Sequence, residues 1–287
     1  MIIKIKSIHF FAIIVAVMLI PMFVLTVKTV SVSSVQKGVR LPIVMYHQLT
    51  KSESRAGKYV LIVEQFEKDL RFLKENGYET VTVNQLLDFS EGKGDLPEKS
   101  IMITFDDGCE TLYSYALPLL KKYGFTAIGF AVGALADSYT ELDDHNLNYS
   151  CLDWAEIKEM CNGGIVDIQS HSYDLHKNTA DRSGAAKKKT ETFAQYKEFL
   201  SSDAAIMKEK MMAHTGKSPV AFAYPFGSYS AESAEILAGC GIKMALTCEE
   251  RINVIKKAES EWLFRLGRYN RPHGISSESF FEKMGIG

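Results

Sequence analysis

Acidic residues are absent from the start of this chain, where no Asp or Glu precedes Glu53. The first 37 residues nevertheless contain four lysines. Taking these from the 33 basic residues leaves 29 against 35 acidic ones, so the rest of the chain has a net charge of −6. Proteins that bind nucleic acids usually present a basic surface, and this charge therefore argues against a nucleic-acid partner.

Cysteine is scarce, and its arrangement excludes two kinds of stabilised scaffold. The chain has five cysteines, an odd number, and lacks a Cys-x-x-Cys pair. A disulfide framework normally uses an even number, and a thiolate zinc site uses closely spaced pairs. The chain also lacks an internal repeat. Its 287 residues are enough for one large domain or two small ones built around hydrophobic cores.

Charged residues are also missing from residues 8–27, an apolar run of 20 residues. As a helix this run would extend about 30 Å, the thickness of the hydrocarbon core of a bilayer, and it predicts a transmembrane helix. Lys4 and Lys6 precede it and place the amino terminus in the cytoplasm. A good small-x-small cleavage site is lacking, because Ser31-Val32-Ser33 is a weak candidate. We therefore expect an uncleaved signal anchor, with secretion after cleavage as the alternative.

This interpretation divides the chain at residue 37. Residues 1–37 comprise a cytoplasmic stub, the anchor and a Ser/Val-rich tether, and residues 38–287 form an extracytoplasmic domain at the cell membrane. In that domain, predicted strands alternate with predicted helices, which indicates an α/β fold with parallel crossovers. Roughly seven strands fit an incomplete (β/α) barrel better than an open doubly wound sheet.

Some element boundaries follow from local composition. The amphipathic pattern of residues 187–214 predicts a long helix. The polar stretch 136–150 predicts an irregular loop, and residues 263–266 predict the last strand. Asp143-Asp144-His145 falls in the polar stretch, and we interpret it as a solvated cluster.

Two adjacent acids follow a strongly predicted buried strand. Residues 101–105 are apolar or β-branched, and Asp106, Asp107 and Gly108 come directly after them. The carboxyl end of a parallel strand is where α/β enzymes place reacting groups. Neighbouring side chains on an extended backbone point to opposite sides, so one acid can bind a metal while the other handles a proton. Taken alone, the same residues fit a plain turn equally well.

Histidines follow two other predicted strands. His47 follows residues 41–46, and His171 follows residues 165–170, with His176 five positions later. A spacing of five does not align two rings on one helix face, so the pair must converge through a loop. Imidazoles suit zinc, cobalt or nickel, and two of them with one carboxylate leave positions for water and substrate. For each histidine alone, a core or loop role is the simpler interpretation.

Three segments in this order carry a family resemblance: Thr104–Gly108, Ser170–His176 and Phe222–Gly227. Together they resemble the polysaccharide deacetylases with the NodB-homology fold, carbohydrate esterase family 4, over roughly residues 41–270. The resemblance implies a distorted (β/α)7 barrel for the catalytic domain, residues 38–287. It also implies a divalent metal ion, zinc or else cobalt or nickel. The implied metal ligands are Asp107, His171 and His176, and the implied catalytic base is Asp106.

The chain departs from the commonest pattern of this family. Ala223 stands where an arginine usually does, and the two histidines are five rather than four apart. Both departures resemble the subgroup of poly-N-acetylglucosamine deacetylases, which has a Tyr-His pair matching Tyr46-His47. The resemblance then implies that His47 is the general acid. It places four residues around the substrate and the oxyanion, and we expect the last of them to restrain Asp106: Tyr224, Pro225, Phe226 and Arg268.

The implied activity is metal-dependent hydrolysis of N-acetyl groups from an N-acetylglucosamine-containing polysaccharide of the cell envelope or matrix, releasing acetate. Biofilm glycan and peptidoglycan are both open as substrates. A non-catalytic carbohydrate-binding relative is the alternative from another class. A metal-dependent hydrolase of another amide or of a phosphoester is a third, although phosphatases usually need more carboxylates or a second metal.

Overall fold

A computed structural model describes residues 38–287, which fold as one unit. The predicted membrane segment 8–27 lies outside these residues. Among the helices of residues 38–287, none has both the length and the apolar character needed to cross a membrane.

Parallel strands form the main sheet of the domain. Its order is β10-β9-β8-β7-β6-β2-β12, and the short strand β5 pairs with β6 beside this path. Two further pairs lie outside it, β1 with β11 and β3 with β4. The strands are β1 Val39–Leu41, β2 Ile43–Tyr46, β3 Gln48–Thr50, β4 Val60–Ile62, β5 Glu79–Thr80, β6 Ser100–Phe105, β7 Ala127–Ala131, β8 Val166–Ser170, β9 Ala221–Ala223, β10 Met244–Leu246, β11 Asn253–Ile255 and β12 Tyr269–Asn270.

Helices connect these strands. Three of them begin at residues that cap the helix in a reciprocal capping box, Thr82, Asp153 and Thr192. The helices are α1 Val63–Glu75, α2 Val83–Ser90, α3 Leu117–Tyr123, α4 Gly133–Leu142, α5 Trp154–Gly163, α6 Phe193–Thr215, α7 Ser233–Gly239 and α8 Ser277–Lys283. A π-helical turn, Leu112–Ala116, precedes α3, and short 3-10 turns cover Glu53–Arg55, Pro225–Gly227 and Leu263–Arg265.

The two edges of the parallel sheet approach each other through the segment after residue 262. Leu266 makes an isolated parallel bridge to Leu246 of β10, and three residues later Tyr269 pairs with Val44 of β2. One segment therefore contacts both edges, and the sheet curls. These features confirm an α/β fold whose parallel sheet fits a (β/α) barrel.

The core lies inside the curled sheet and between the sheet and the helices. All six residues of β6 are buried, as expected for a parallel strand covered on both faces. Helix α1 buries Phe66, Leu70 and Leu73 on one face, as its amphipathic sequence requires. Because parallel strands end at the same edge of the sheet, the residues that follow β2, β6, β8 and β9 come together there.

Two element predictions were wrong, and the predicted long helix is present but starts later than expected. The last strand is β12, whereas residues 263–265 form a 3-10 turn. Much of the polar stretch 136–150 belongs to α4, a helix without a strong apolar stripe. The long helix α6 begins at Phe193, because the capping box of Thr192 starts it there. The lysine-rich segment before Thr192 is a loop.

Candidate metal centre and active-site cleft

A cleft of about 500 Å³ opens at the carboxyl edge of the sheet. The residues that end or follow β2, β6 and β8 line it, together with one aromatic residue from the 3-10 turn after β9 and one from the loop before β4. These lining residues are His47, Asp106, Asp107, His171, His176, Phe226 and Tyr59. The sequence analysis selected the first six, and the structure brings them into one cleft.

The turn after β6 separates the two adjacent acids. Asp107 has a φ of 69° and Gly108 a φ of 66°, so the chain leaves the strand through two left-handed residues. A Cβ at Gly108 would lie 3.2 Å from the Cα of Ala131, a tight contact with backbone that together with the positive φ favours glycine. The two carboxylates do have separate partners, as predicted. The reason is this turn rather than alternation along an extended strand.

Asp107 faces two imidazoles. Its Oδ1 lies 3.4 Å from Nε2 of His171 and 3.1 Å from Nε2 of His176. Burial acts to raise the pKa of Asp107, but the two imidazoles outweigh burial and hold that pKa well below its usual range. Burial acts to lower the pKa of His176, and the Asp107 carboxylate outweighs it, so that pKa is raised. The three side chains form one of the clusters among residues 38–287 whose donor atoms are close enough to share an ion.

The donor atoms of this cluster fit a divalent metal ion. Nδ1 of His171 lies 2.8 Å from the carbonyl oxygen of Ala223. Since a carbonyl only accepts, Nδ1 carries the hydrogen, so in the neutral imidazole the lone pair of Nε2 points toward the Asp107 oxygen and can bind a metal ion. These two atoms then face each other as two acceptors, an arrangement that a cation between them stabilises. Ligands about 2.0–2.1 Å from a tetrahedral ion lie about 3.3 Å apart, which is close to the observed separations.

Asp106 has a different partner, the guanidinium of Arg268. The two oxygens of Asp106 accept hydrogen bonds of 2.6 Å and 2.8 Å from the two terminal nitrogens of Arg268. Burial acts to raise the pKa of Asp106, but Arg268 outweighs burial and lowers that pKa, so the group is a carboxylate. Arg268 also donates to the carbonyl of Thr247, which fixes the fork in place.

Arg268 thus makes the contact with Asp106 that the sequence analysis expected. Its side chain is 0% exposed and does not reach the substrate side of the cleft, where the resemblance had also placed it. Residue 223 acts on the site through its backbone, because the Ala223 carbonyl orients His171. The arginine that is missing from position 223 is therefore replaced by one from the segment between β10 and β12.

His47 lies in the cleft beside both acids. Its ring packs edge-on against Tyr59, with 4.8 Å between the centroids. Its Nδ1 is buried and has no hydrogen-bond partner among residues 38–287. Burial lowers the pKa of His47, and the nearby carboxylates of Asp106 and Asp107 oppose this only in part. His273, in the segment after β12, pairs with Glu53 at 3.0 Å.

The third segment of the family resemblance, Phe222–Gly227, which we call the third motif, contains both buried and exposed residues. Tyr224 is fully buried and stacks on Tyr229, and its amide donates to the carbonyl of Leu246. Neither its ring nor its amide is therefore available to an oxyanion, contrary to the expectation. Pro225 is buried and has no N–H. Phe226 is 45% exposed and lies against His176, with 4.5 Å between ring centroids.

A buried network beneath His47 escaped the sequence analysis. The carboxylate of Asp69, on α1, accepts from Arg271, from the Tyr46 hydroxyl and from Ser277, at 2.7 to 3.0 Å. Asp69 and Arg271 are both fully buried. This network ties the end of β2 to the carboxyl-terminal segment. The signal available in the sequence was the position of Asp69 on α1. Its helical spacing places this acid on the apolar face, next to Leu70 and Leu73.

Comparison with known proteins gives a family match over more than half of the chain. The family model described as polysaccharide deacetylase matches residues 93–245. Poly-beta-1,6-N-acetyl-D-glucosamine N-deacetylase of Staphylococcus aureus is 28% identical over 200 residues, covering 70% of this chain and 65% of that protein. The protein of the same name from Escherichia coli K12 is 27% identical over 196 residues, covering 62% of this chain and 29% of that protein.

Solved structures share the fold. IcaB from Ammonifex degensii superposes with a TM-score of 0.66 at 26% identity, covering 83% of this chain and 94% of that one. The Streptococcus pyogenes deacetylase PplD superposes with a TM-score of 0.68 at 23% identity, covering 86% and 99%. This chain spans 65% of the length of the Staphylococcus aureus relatives. Since the family model matches more than half of its residues, the chain belongs to the polysaccharide deacetylase family.

Proposed function

We propose that this protein is a metal-dependent N-deacetylase that releases acetate from an N-acetylglucosamine-containing polysaccharide. The observation that carries the proposal is the division of labour between two adjacent acids. Asp107 faces His171 and His176, whereas Asp106 is held as a carboxylate by Arg268 in the same cleft. Metal-assisted hydrolysis of an amide uses this pairing of a metal site with a separate base.

Asp107, His171 and His176 would hold the ion. When bound, a divalent ion of the zinc type supplies Lewis acidity, which polarises an acetamide carbonyl and makes a water more acidic. The donor set of one carboxylate and two imidazoles suits zinc, cobalt or nickel and leaves positions open to solvent.

Asp106 and His47 provide the two proton transfers. Asp106 accepts a proton from the water while the oxygen of that water forms a bond to the carbonyl carbon. The C–N bond then breaks, and His47 donates a proton to the amine nitrogen, which cannot leave as an anion. The products are acetate and the free amine of the sugar. His47 suits this role because it is buried beside the acids and its Nδ1 has no hydrogen-bond partner among residues 38–287.

A hydrogen-bond donor from the protein would stabilise the oxyanion. The candidates in the third motif are the backbone amides of Tyr224, Pro225 and Phe226. The Tyr224 amide is used in the sheet and Pro225 has none, so the Phe226 amide is the remaining backbone donor of the three. Phe226 has a φ of 59°, an unusual conformation for a non-glycine residue. Strained backbone of this kind is concentrated at sites where a group must be aimed.

The lining of the cleft favours a sugar chain. The exposed rings of Phe226 and Tyr59 are among its lining residues. Sugar rings pack their C–H faces on such aromatic surfaces. The relatives from Staphylococcus aureus and Escherichia coli are named for poly-beta-1,6-N-acetyl-D-glucosamine. This name supports a β-1,6-linked matrix glycan over peptidoglycan as the substrate.

Acetate release from a panel of polymers tests the substrate class. We expect release from poly-β-1,6-N-acetylglucosamine to exceed release from chitooligosaccharides and from peptidoglycan at equal acetyl content. The reason is the polymer for which the relatives from Staphylococcus aureus and Escherichia coli are named. If acetate release is highest from peptidoglycan, the proposed reaction stands but the proposed substrate is wrong. Release from none of the three polymers would contradict the proposal.

We also propose that residues 8–27 anchor the protein in the cell membrane, with residues 38–287 on the extracytoplasmic side. The support is the uncharged run of 20 residues behind two lysines. The native protein should therefore sediment with membranes and retain its amino terminus. A soluble protein beginning near Ser34 would show that the segment is removed.

A further inference from the structure

A second cluster of metal-ligating side chains lies next to the turn that carries Asp107. It comprises Glu110, His145 and Glu156, whose donor atoms lie within 4.8 Å of one another. Oε1 of Glu110 is 3.2 Å from Nδ1 of His145. The sequence analysis interpreted His145 as part of a solvated cluster. The structure instead points its ring at a buried carboxylate.

Glu110 carries an unpartnered buried oxygen. The residue is 4% exposed, and its Oε2 has no hydrogen-bond partner among residues 38–287. Within that range, neither Glu110 nor Glu156 forms an ion pair with a lysine or arginine. Asp144 and Asp153 add negative charge around Glu110. A buried carboxyl group without partners for both oxygens is stabilised by a cation or by a proton, and the imidazole and the second carboxylate beside Glu110 supply further donor atoms for a cation.

The donors are positioned by their neighbours. Nε2 of His145 lies 3.4 Å from the Asp143 carboxylate, which orients the ring and leaves Nδ1 directed at Glu110. One oxygen of Glu156 accepts from the Asp153 amide in the capping box of α5, and its other oxygen is not used there. One imidazole with two carboxylates suits a divalent transition metal such as zinc. His145 is on the exposed side, where water completes the coordination.

We propose that Glu110, His145 and Glu156 form a second divalent-cation site with a structural role, separate from the Asp107 centre. The backbone shows what such an ion would hold together. The Glu110 amide donates to the Ser150 carbonyl, and the Leu152 amide donates to the Gly108 carbonyl. An ion at Glu110 would therefore fasten the turn after β6 to the segment that leads into α5.

The competing explanation is an ion pair without metal. In that case a protonated His145 would bridge Glu110 and Asp143, and no ion would bind. The two explanations differ in the number of ions that the protein holds, and that number does not depend on catalysis.

Zinc stoichiometry of the full chain, measured by equilibrium dialysis and atomic emission, separates them. We expect about two ions per chain in the wild type and about one in His145→Ala. The double variant His171→Ala, His176→Ala should also hold about one, and the triple variant none. His214→Ala is the matched control, because His214 stacks on Trp154 at the end of α6, and it should retain both ions.

Thermal unfolding gives an independent readout. Zinc should raise the Tm of the double variant through the second site, and this rise should vanish when His145→Ala is added. His145 is 47% exposed, so its removal leaves no core cavity. An unchanged zinc count in His145→Ala, or one ion in the wild type that only His171 and His176 control, would overturn the second site and leave the first intact. One ion in the wild type that only His145→Ala removes would have the opposite meaning. It would overturn the metal at the proposed active centre and leave the second site intact.

Discussion

Asp106→Asn is expected to lower turnover by about 10³- to 10⁴-fold while the metal content stays at the wild-type value. Asparagine keeps the shape of the side chain but cannot accept a proton from water. Its oxygen can still accept from Arg268, whereas the charge that balances the guanidinium is lost. Acetate release and metal content, measured on the same preparation, check this result.

The loss of the buried pair must be separated from the loss of the base. Breaking a buried ion pair costs about 3–5 kcal/mol of stability, so Asp106→Asn should also have a lower Tm. If the Asp106→Asn variant keeps its metal, the metal site of that variant is folded, and the loss of turnover cannot be attributed to unfolding. Asp107→Asn is the matched comparison, since it changes the neighbouring residue in the same way, and it should lose the ion of the Asp107 centre and activity together. Equal loss of metal in both variants would mean that Asp106 is a ligand and that the base lies elsewhere.

His47→Ala is expected to lower turnover by about 10²- to 10⁴-fold, the usual scale for removing a proton-transfer group. His47 lines the cleft beside both acids, and the amine needs a proton to leave. Metal content should be unchanged. His273→Ala is the matched control, because that ring pairs with Glu53 and should lose little activity. A nearly wild-type His47→Ala with an inactive His273→Ala would exchange the two roles.

The pH profile checks the role of His47 separately. A general acid works while protonated, so the rate should fall as the pH rises through the pKa of His47. Burial lowers this pKa from the ordinary histidine value of about 6.5, so the fall should begin below the usual histidine range. His47→Ala should remove this limb. A limb that persists unchanged in the variant would belong to another group.

The strand ends were predictable from the sequence because two simple patterns overlap there. A parallel strand buried on both faces reads as a continuous apolar run, and polar residues directly after it fall at the shared carboxyl edge. Residues 101–107 show both patterns. The same logic located His47 and His171, although the loop that returns His176 to Asp107 required the family resemblance.

Pairings between distant segments could not be found in this way. Asp69 pairs with Arg271, which is 202 positions away. Arg268 is 162 positions from Asp106, and this pair was expected only because the family resemblance left Asp106 without its usual arginine. Short elements gave weak signals as well. Strand β12 has only two residues, and its pairing with β2 defines it more than its composition does. Helix α4 lacks a clear apolar face, so its polar sequence resembled a loop.

The central claim is that this cleft hydrolyses the N-acetyl amide of a polymer of N-acetylglucosamine. The most direct measurement counts acetate and free amine released from purified poly-β-1,6-N-acetylglucosamine by the zinc-loaded protein, with Asp106→Asn as the control. We predict equal amounts of acetate and amine, no change in chain length, and neither product from the variant. Acetate without amine, shortened chains, or equal activity in Asp106→Asn would contradict the account.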